Sequence, residues 1–305
     1  MKLGIGLPES LPFGLSRTLL LDWARLADMV GFHTISVRDR PNYDGWDPLL
    51  TLSAVAAVTE RARLATTVLQ LPIRNAVMVA KQAAVIDRLS NGRFDLGIGL
   101  GSRQDDYAVY GATMEHRTTR YRNQLGEIRA LWATAHGTTT REFGPIGPAP
   151  VQEPGPPIWL GALPTNEAGL RRAVELGDGY VFGSAAEPEA MAPVVRKVRE
   201  WAREAGKHSF TINRIAQVAV GGQRVLEEAI LQTRRYYPGG TPRPIEDMIK
   251  HGDPEAIGAW VRRNAEIGLD LTILMPVVPD IRQVEQLAET ILPDYRQPES
   301  NRESA

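Results

Sequence analysis

The sequence predicts an α/β fold closed into a (β/α)8 TIM barrel, and three observations carry that prediction. Short β-type runs alternate with amphipathic helical patterns along almost all of the 305 residues. Those runs number eight, the count that closes a parallel barrel around a filled interior. Glycine punctuates the helix-to-strand junctions at Gly31, Gly177 and Gly268, and it ends helices cheaply in the left-handed conformation. An open doubly wound sheet is the competing architecture. It calls for a glycine fingerprint after the first strand, where this chain reads Pro8-Glu9-Ser10.

Taken in order, strand one is expected over residues 2–7. The helix after it carries Leu19, Trp23, Leu26, Ala27 and Val30 on one face, at i, i+3 and i+4 spacing. Strand two covers 33–38. Asp47 then caps a helix with its carboxylate, and Pro48 stands in the first turn, where no amide donor is missed. Strand three spans 64–71, Asn75 caps a helix reaching Leu89, and Asn91-Gly92 turns the chain into strand four at 93–100. A long helix follows at about 121–132. Residues 136–157, dense in proline and glycine, form an excursion rather than a domain boundary, because the same alternation resumes after them.

Strand five is 158–161, with a helix to Leu176, and strand six is 180–183. Glu187-Pro188 opens a helix through Trp201, and strand seven covers 210–220. A helical stretch and a second irregular insertion, 236–244, precede the Asp253-Pro254 cap of a helix ending at Ile267-Gly268. Strand eight is 271–275, and Val284, Leu287, Ala288, Ile291 and Leu292 mark a closing helix. The domain expectation is one barrel over 1–296, with loop insertions at its mouth and a flexible polar tail at 297–305.

Composition removes several functional classes. Lys and Arg number 35 against 36 Asp and Glu, whereas a nucleic-acid surface needs a basic excess. The absence of cysteine removes disulfides, thiolate nucleophiles and sulfur-ligated clusters. His33, His116, His136, His208 and His251 are scattered without metal-ligand spacing, so no catalytic metal is expected. No GxSxG elbow marks a serine hydrolase. The first apolar run is broken early by Pro8, and no run approaches the ~18 residues of a membrane span. A cytoplasmic protein without a membrane partner is therefore expected.

In a barrel, chemistry collects where strands end and βα loops begin. After strand two comes Arg38-Asp39-Arg40, and Asp39 between two arginines reads either as a salt-bridged loop residue or as a functional acid. Strand four carries Gly97, Gly99 and Gly101 in alternation. Alternate glycines clear one face of a strand, which suits a bulge, close packing or a flat ring lying against the backbone.

These pieces resemble the bacterial luciferase-like oxidoreductases, which use flavin or the deazaflavin coenzyme F-420. The resemblance covers nearly the whole chain and is strongest over 63–110. There the chain reads Leu71-Pro72-Ile73-Arg74-Asn75, Ala80-Lys81-Gln82, Asp87-Arg88-Leu89-Ser90-Asn91-Gly92-Arg93, the glycine strand, and Asp105-Asp106-Tyr107 with Tyr110-Gly111. Pro157-Ile158-Trp159-Leu160-Gly161 and Leu176-Gly177-Asp178-Gly179 match as well.

The resemblance implies a three-ring cofactor in the barrel mouth, an insertion at 136–157 near that mouth where family members place a lid, and a non-proline cis peptide in strand three, by position Thr67-Val68. It implies cofactor contacts from Thr67, Val68, Gly99, Gly101 and Tyr107, with phosphate held near Gly161 and Gly183-Ser184 by amides and a hydroxyl at helix N-termini. Asp39, Arg40 and Ser102 are the catalytic candidates. Together with Thr67, Gly99 and Tyr107 they should surround one concave pocket with an apolar rim from Trp46 and Leu71. Two departures matter: many relatives carry His where Arg40 stands, and the deazaflavin sugar-phosphate dehydrogenases carry Glu where Ser102 stands. Arginine stays protonated and cannot act as a general base. It can stabilise an anion such as a reduced flavin or a substrate carboxylate.

The favoured expectation is a monooxygenase of a small organic metabolite that receives reduced FMN from a separate reductase. The alternatives are hydride transfer by deazaflavin F-420 and a flavin-binding partner subunit without chemistry of its own. The acidic tail of F-420 would need a basic groove, for which Arg103, Arg171 and Arg172 are candidates. A homodimer is compatible with all three.

Overall fold

Eight parallel strands close on one another in the computed structural model of the chain, which describes residues 1–8, 15–42, 45–137, 146–183, 185–237, 240–241 and 243–295. The elements begin β1 (Lys2–Gly6), α1 (Arg17–Val30), β2 (Thr34–Val37), α2 (Pro48–Ala56), β3 (Arg63–Thr66), β4 (Leu69–Gln70), α3 (Ala76–Leu89) and β5 (Phe94–Gly99). They continue with α4 (Gln104–Val109), α5 (Arg117–Ala135), β6 (Ile158–Gly161), α6 (Glu167–Leu176), β7 (Gly179–Gly183) and α7 (Pro188–Glu204). The last are β8 (Thr211–Val220), α8 (Gln223–Tyr236), β9 (Ile249–Gly252), α9 (Pro254–Glu266), β10 (Leu271–Pro276) and α10 (Arg282–Thr290). Pairing runs β1–β2–β3–β5–β6–β7–β8–β10, and β10 returns to β1, which closes the ring. Among the described residues no helix is long and apolar enough to cross a membrane.

The expected caps form. Asp47 accepts the Leu49 and Leu50 amides at 3.0 Å, Asn75 accepts Met78 at 3.0 Å, and Asp253 accepts Ala256 at 2.8 Å. Gly31 and Gly268 adopt φ of 99° and 88°, the left-handed region that glycine enters without a Cβ penalty. Gly177 differs: its backbone is extended at φ −99°. There a Cβ would lie 2.8 Å from the Ala173 carbonyl, so close packing is what the position demands.

Two apolar layers follow from strand alternation. Outward residues such as Leu3, Ile5, Ile35 and Leu64 pack with the helices in the main core. Inward residues Ala65, Trp159, Val181, Leu271, Ile273 and Met275 form a separate cluster in the barrel lumen.

Strand three departs from a regular run. It splits into β3 and β4 around a cis peptide at Thr67-Val68, the bond the resemblance implied. The excursion at 136–157 requires a correction. Its residues 146–157 lie at the N-terminal end of the barrel rather than at the mouth. Buried Asp87, near the end of α3, accepts the Val151 amide at 2.7 Å and the Gln152 amide at 2.9 Å. Residues 153–157 also line a depression with Lys2, His33 and Thr211 at the strand starts. The reason is topological. The segment links a helix to the next strand, and such links sit opposite the mouth.

The mouth insertion is the other one. β8 is long: Asn213–Val218 pair with β10, while Gln217–Val220 pair with β9. α8 therefore follows the end of β8 while β9 lies beside its last residues, the two sealed by a small cluster of Ala219, Ala229, Ile249 and Val277. The expected tail, 297–305, lies outside the described residues.

Candidate functional site at the barrel mouth

The lumen opens at its C-terminal end, as exposure along the inward faces shows. On β7, Val181 is buried and Gly183 is exposed; on β8, Asn213 is buried while Ile215 and Gln217 are half-buried. Val68 and Gly161 are likewise half-buried. A Cβ built on Gly183 would meet no atom within 4 Å. These positions enclose a recess whose floor, Val68 and Ile215, rests on the lumen cluster.

Val68 accounts for the glycine strand. A Cβ on Gly99 would lie 2.6 Å from Val68 Cγ2, and one on Gly161 would lie 3.1 Å from the same atom. A Cβ on Gly97 would collide with the Thr66 carbonyl oxygen. The cleared face thus receives the bulge of strand three, and the bulge presents Val68 to the recess. The expectation that Gly99 itself faces a flat ring is corrected: Val68 stands between.

Behind the recess lies a buried polar bracket. Arg40 is 4% exposed, and its guanidinium pairs with Asp106, which is fully buried, and with Asp105 at 3.2 Å. Gln70 Nε2 donates to the other Asp106 oxygen at 2.9 Å. Asp39, 7% exposed, accepts the Gln70 amide at 2.8 Å and Arg74 at 3.0 Å, and Arg74 also holds Asp47 at 2.9 Å. Burial pushes the Asp39 carboxyl above its ordinary range, against the opposing pull of Arg74 and the Gln70 amide. The bracket ties the end of β2 to β4, to the N-cap of α2, to Arg74 just ahead of α3 and to the first turn of α4.

The other candidates are placed as follows. Thr67 is buried, and its amide donates to the Val37 carbonyl at 2.7 Å. Gly101 has φ 71° and packs against Gln70. Tyr107 is 1% exposed and its hydroxyl donates to the Leu100 carbonyl, while burial raises its phenol pKa. Leu71 is fully buried and so forms no part of a rim, whereas Trp46 is 39% exposed. Ser102 is exposed. Of the six residues expected around one pocket, five are therefore buried structure, and Ser102 alone is open to solvent. Ser184 lies outside the described residues.

Sequence reasoning missed Tyr236 and Tyr237, at the end of α8. The Tyr236 ring centroid lies 4.8 Å from Arg38 Cζ, 5.2 Å from Arg103 Cζ and 5.7 Å from Arg40 Cζ. Tyr237 meets Tyr236 edge-to-face at 4.7 Å and lies 4.4 Å from Arg103. Arg38 shares the inward parity of Ser36 on β2, so a strand-end charge and an insertion aromatic meet at the mouth. No local pattern signals such a meeting, because α8 is some 200 residues from β2 in the chain.

Known proteins resemble the chain at several levels. An uncharacterised protein of Mycobacterium tuberculosis is 36% identical over 141 residues, which cover 44% of this chain and 49% of the relative, about half its length. The F-420-dependent glucose-6-phosphate dehydrogenase of Amycolatopsis mediterranei is 25% identical over 91% of this chain and 94% of its own. The oxygenase component of a flavin-dependent trigonelline monooxygenase from Acinetobacter baylyi is 29% identical over 48% of this chain and 43% of its own. A crystal structure of a Streptomyces bottropensis monooxygenase superposes with a TM-score of 0.80 over 97% of this chain and all of the other, at 24% identity, and shows the shared fold. The model of the luciferase-like monooxygenases matches residues 14–268, and the chain belongs to that family.

Proposed function

We propose that this oxidoreductase is a monooxygenase that uses reduced FMN, delivered by a separate reductase, to oxygenate a small organic metabolite. The supporting observation is the state of two positions at the mouth. Arg40 stands where related dehydrogenases place a histidine, and its charge is taken up by Asp105 and Asp106. Ser102 stands where they place a glutamate and is a lone exposed hydroxyl. Neither can draw a proton from a substrate alcohol, which a dehydrogenase must do. The oxygenase component from Acinetobacter baylyi is a relative of the expected kind.

In this reading the recess receives a flat three-ring group. It has an apolar floor in Val68 and Ile215, and open space above Gly183 where a side chain would otherwise stand. Val68 would support the ring face, and the backbone at Gly161 and Gly183 would approach the phosphate, with Ser184 as a further candidate. When bound, reduced flavin supplies the electrons and the oxygen-activating centre. The chain supplies the rest. The bracket of Arg40, Asp106, Gln70 and Asp39 fixes the loop ends around the recess, Tyr236 covers its β2 side, and the apolar floor excludes water.

Titration of the purified protein with FMN and with F-420, followed by turnover with a supplied flavin reductase, tests this reading. Micromolar FMN binding with reductase-dependent oxygen consumption is the expected result. Binding of F-420 alone would make the chain a deazaflavin enzyme. FMN binding without oxygenated product across a metabolite panel would make it a non-catalytic partner subunit.

A further inference from the structure

We propose that Arg103, with Tyr236, is the receptor for an anionic group on the organic substrate, so that the protein selects a flat, carboxylate-bearing metabolite. The inference rests on the mouth being the substrate site, as proposed above. Three guanidiniums, those of Arg38, Arg40 and Arg103, lie within 6 Å of the centroid of one tyrosine ring. Like charges gathered in this way repel one another unless anions answer them. Arg40 has its answer in Asp105 and Asp106.

Arg103 makes no ion pair or hydrogen bond among the described residues; the acid that feels its charge is Asp105, which is already bonded to Arg40. Its contacts there are the faces of Tyr236 and Tyr237, at 5.2 and 4.4 Å. Aromatic faces hold a guanidinium without consuming its N–H donors, which lie in its own plane and match a carboxylate bidentately. The Tyr236 hydroxyl makes no hydrogen bond to the described residues, and burial keeps it in its protonated, donating form. A cation and a neutral donor thus stand together with no hydrogen-bond acceptor engaged by either among the described residues.

Position separates this receptor from the phosphate end of the cofactor. Gly161 and Gly183 end β6 and β7. Arg103 shares its ring with Arg38 and Arg40 from the β2 end, and β3 and β5 stand between β2 and β6 in the barrel. An anion bound there belongs to the molecule lying beside the ring rather than to the phosphate chain of the cofactor. The apolar floor and the tyrosine edges favour a flat body behind the carboxylate.

The test uses benzoate and benzamide, which share a ring and differ in charge, titrated by calorimetry into the FMN-loaded protein. Wild type should bind benzoate at least tenfold more tightly than benzamide. Arg103→Gln should abolish that preference, Arg103→Lys should keep part of it, and Tyr236→Phe should reduce it severalfold. FMN affinity and melting temperature should stay within error in Arg103→Gln. Equal binding of the two probes by wild type, or binding of neither, would overturn the proposal. So would a loss of FMN affinity in Arg103→Gln as large as the loss for benzoate, because Arg103 would then anchor the cofactor. If the protein bound no FMN and the apoprotein still preferred benzoate through Arg103, the monooxygenase reading would fail while the receptor stood.

Discussion

Arg40 and Asp106 form an ion pair sealed from solvent, with side chains 3% and 0% exposed. The second Asp106 oxygen is engaged by Gln70. A pair this deep is costly to break from one side, because the surviving charge stays buried without its partner, at about 3–5 kcal/mol. Arg40→Ala should therefore lower unfolding free energy by about that amount in urea denaturation. Arg40→Met with Asp106→Leu should recover much of the loss. If Arg40→Ala left stability unchanged and abolished turnover alone, the arginine would be a catalytic group rather than a brace.

The space around Val68 yields a second prediction, through a contrast between two glycines. A Cβ on Gly99 would meet Val68 Cγ2 at 2.6 Å, a methyl that truncation removes. On Gly97 it would meet the backbone oxygen of Thr66, which no side-chain change removes. Each Gly→Ala substitution should cost about 1–3 kcal/mol through overpacking. Adding Val68→Ala should offset the Gly99→Ala cost and leave the Gly97→Ala cost intact, so a double-mutant cycle reads the coupling directly. Equal rescue of both would show that Val68 does not fill the cleared face.

Much of this architecture was legible in the sequence, because each signal is local. The caps at Asp47, Asn75 and Asp253 and the eight alternating units depend on neighbours within a few residues. Thr67-Val68 was legible through resemblance. The site was less so. Asp105 and Asp106 read as part of a motif, but their partner Arg40 is more than 60 residues away, and charge complementarity has no sequence period. Residues 146–157 depart from the lid position that the resemblance implies, because they link a helix to the next strand and so run at the opposite end of the barrel. Tyr236 joined the mouth only because β8 overruns the barrel and carries α8 with it.

A third prediction concerns pH. His33 is held down to about 4, first by burial and then by the nearby charges of Lys2 and Arg63. Its unfolded value lies near 6.5, so between pH 6.5 and 4 the unfolded chain binds a proton that the folded chain refuses. Stability should fall as pH drops through that window, and the term should be absent above it. The ceiling is on the order of 3 kcal/mol, reduced by the partial exposure of the ring. His33→Gln should flatten the slope of unfolding free energy between pH 4 and 6.5. An unchanged slope would assign the acid sensitivity to carboxylates instead.

The last prediction separates cofactor space from folding. Gly183 ends β7 at the recess, and a Cβ there meets nothing within 4 Å. Its φ is outside the left-handed region, so a side chain brings no backbone strain. Gly183→Phe should therefore leave the unfolding midpoint within about 0.5 kcal/mol of wild type, as open surface positions do. If the flavin occupies the recess, the ring would fill part of its space, and FMN affinity should drop by at least about tenfold, a cost of about 1.4 kcal/mol. Flavin fluorescence titration reads the affinity and denaturation reads the stability. Undiminished FMN binding by a folded Gly183→Phe protein would place the cofactor elsewhere and remove the basis for the recess as the active site.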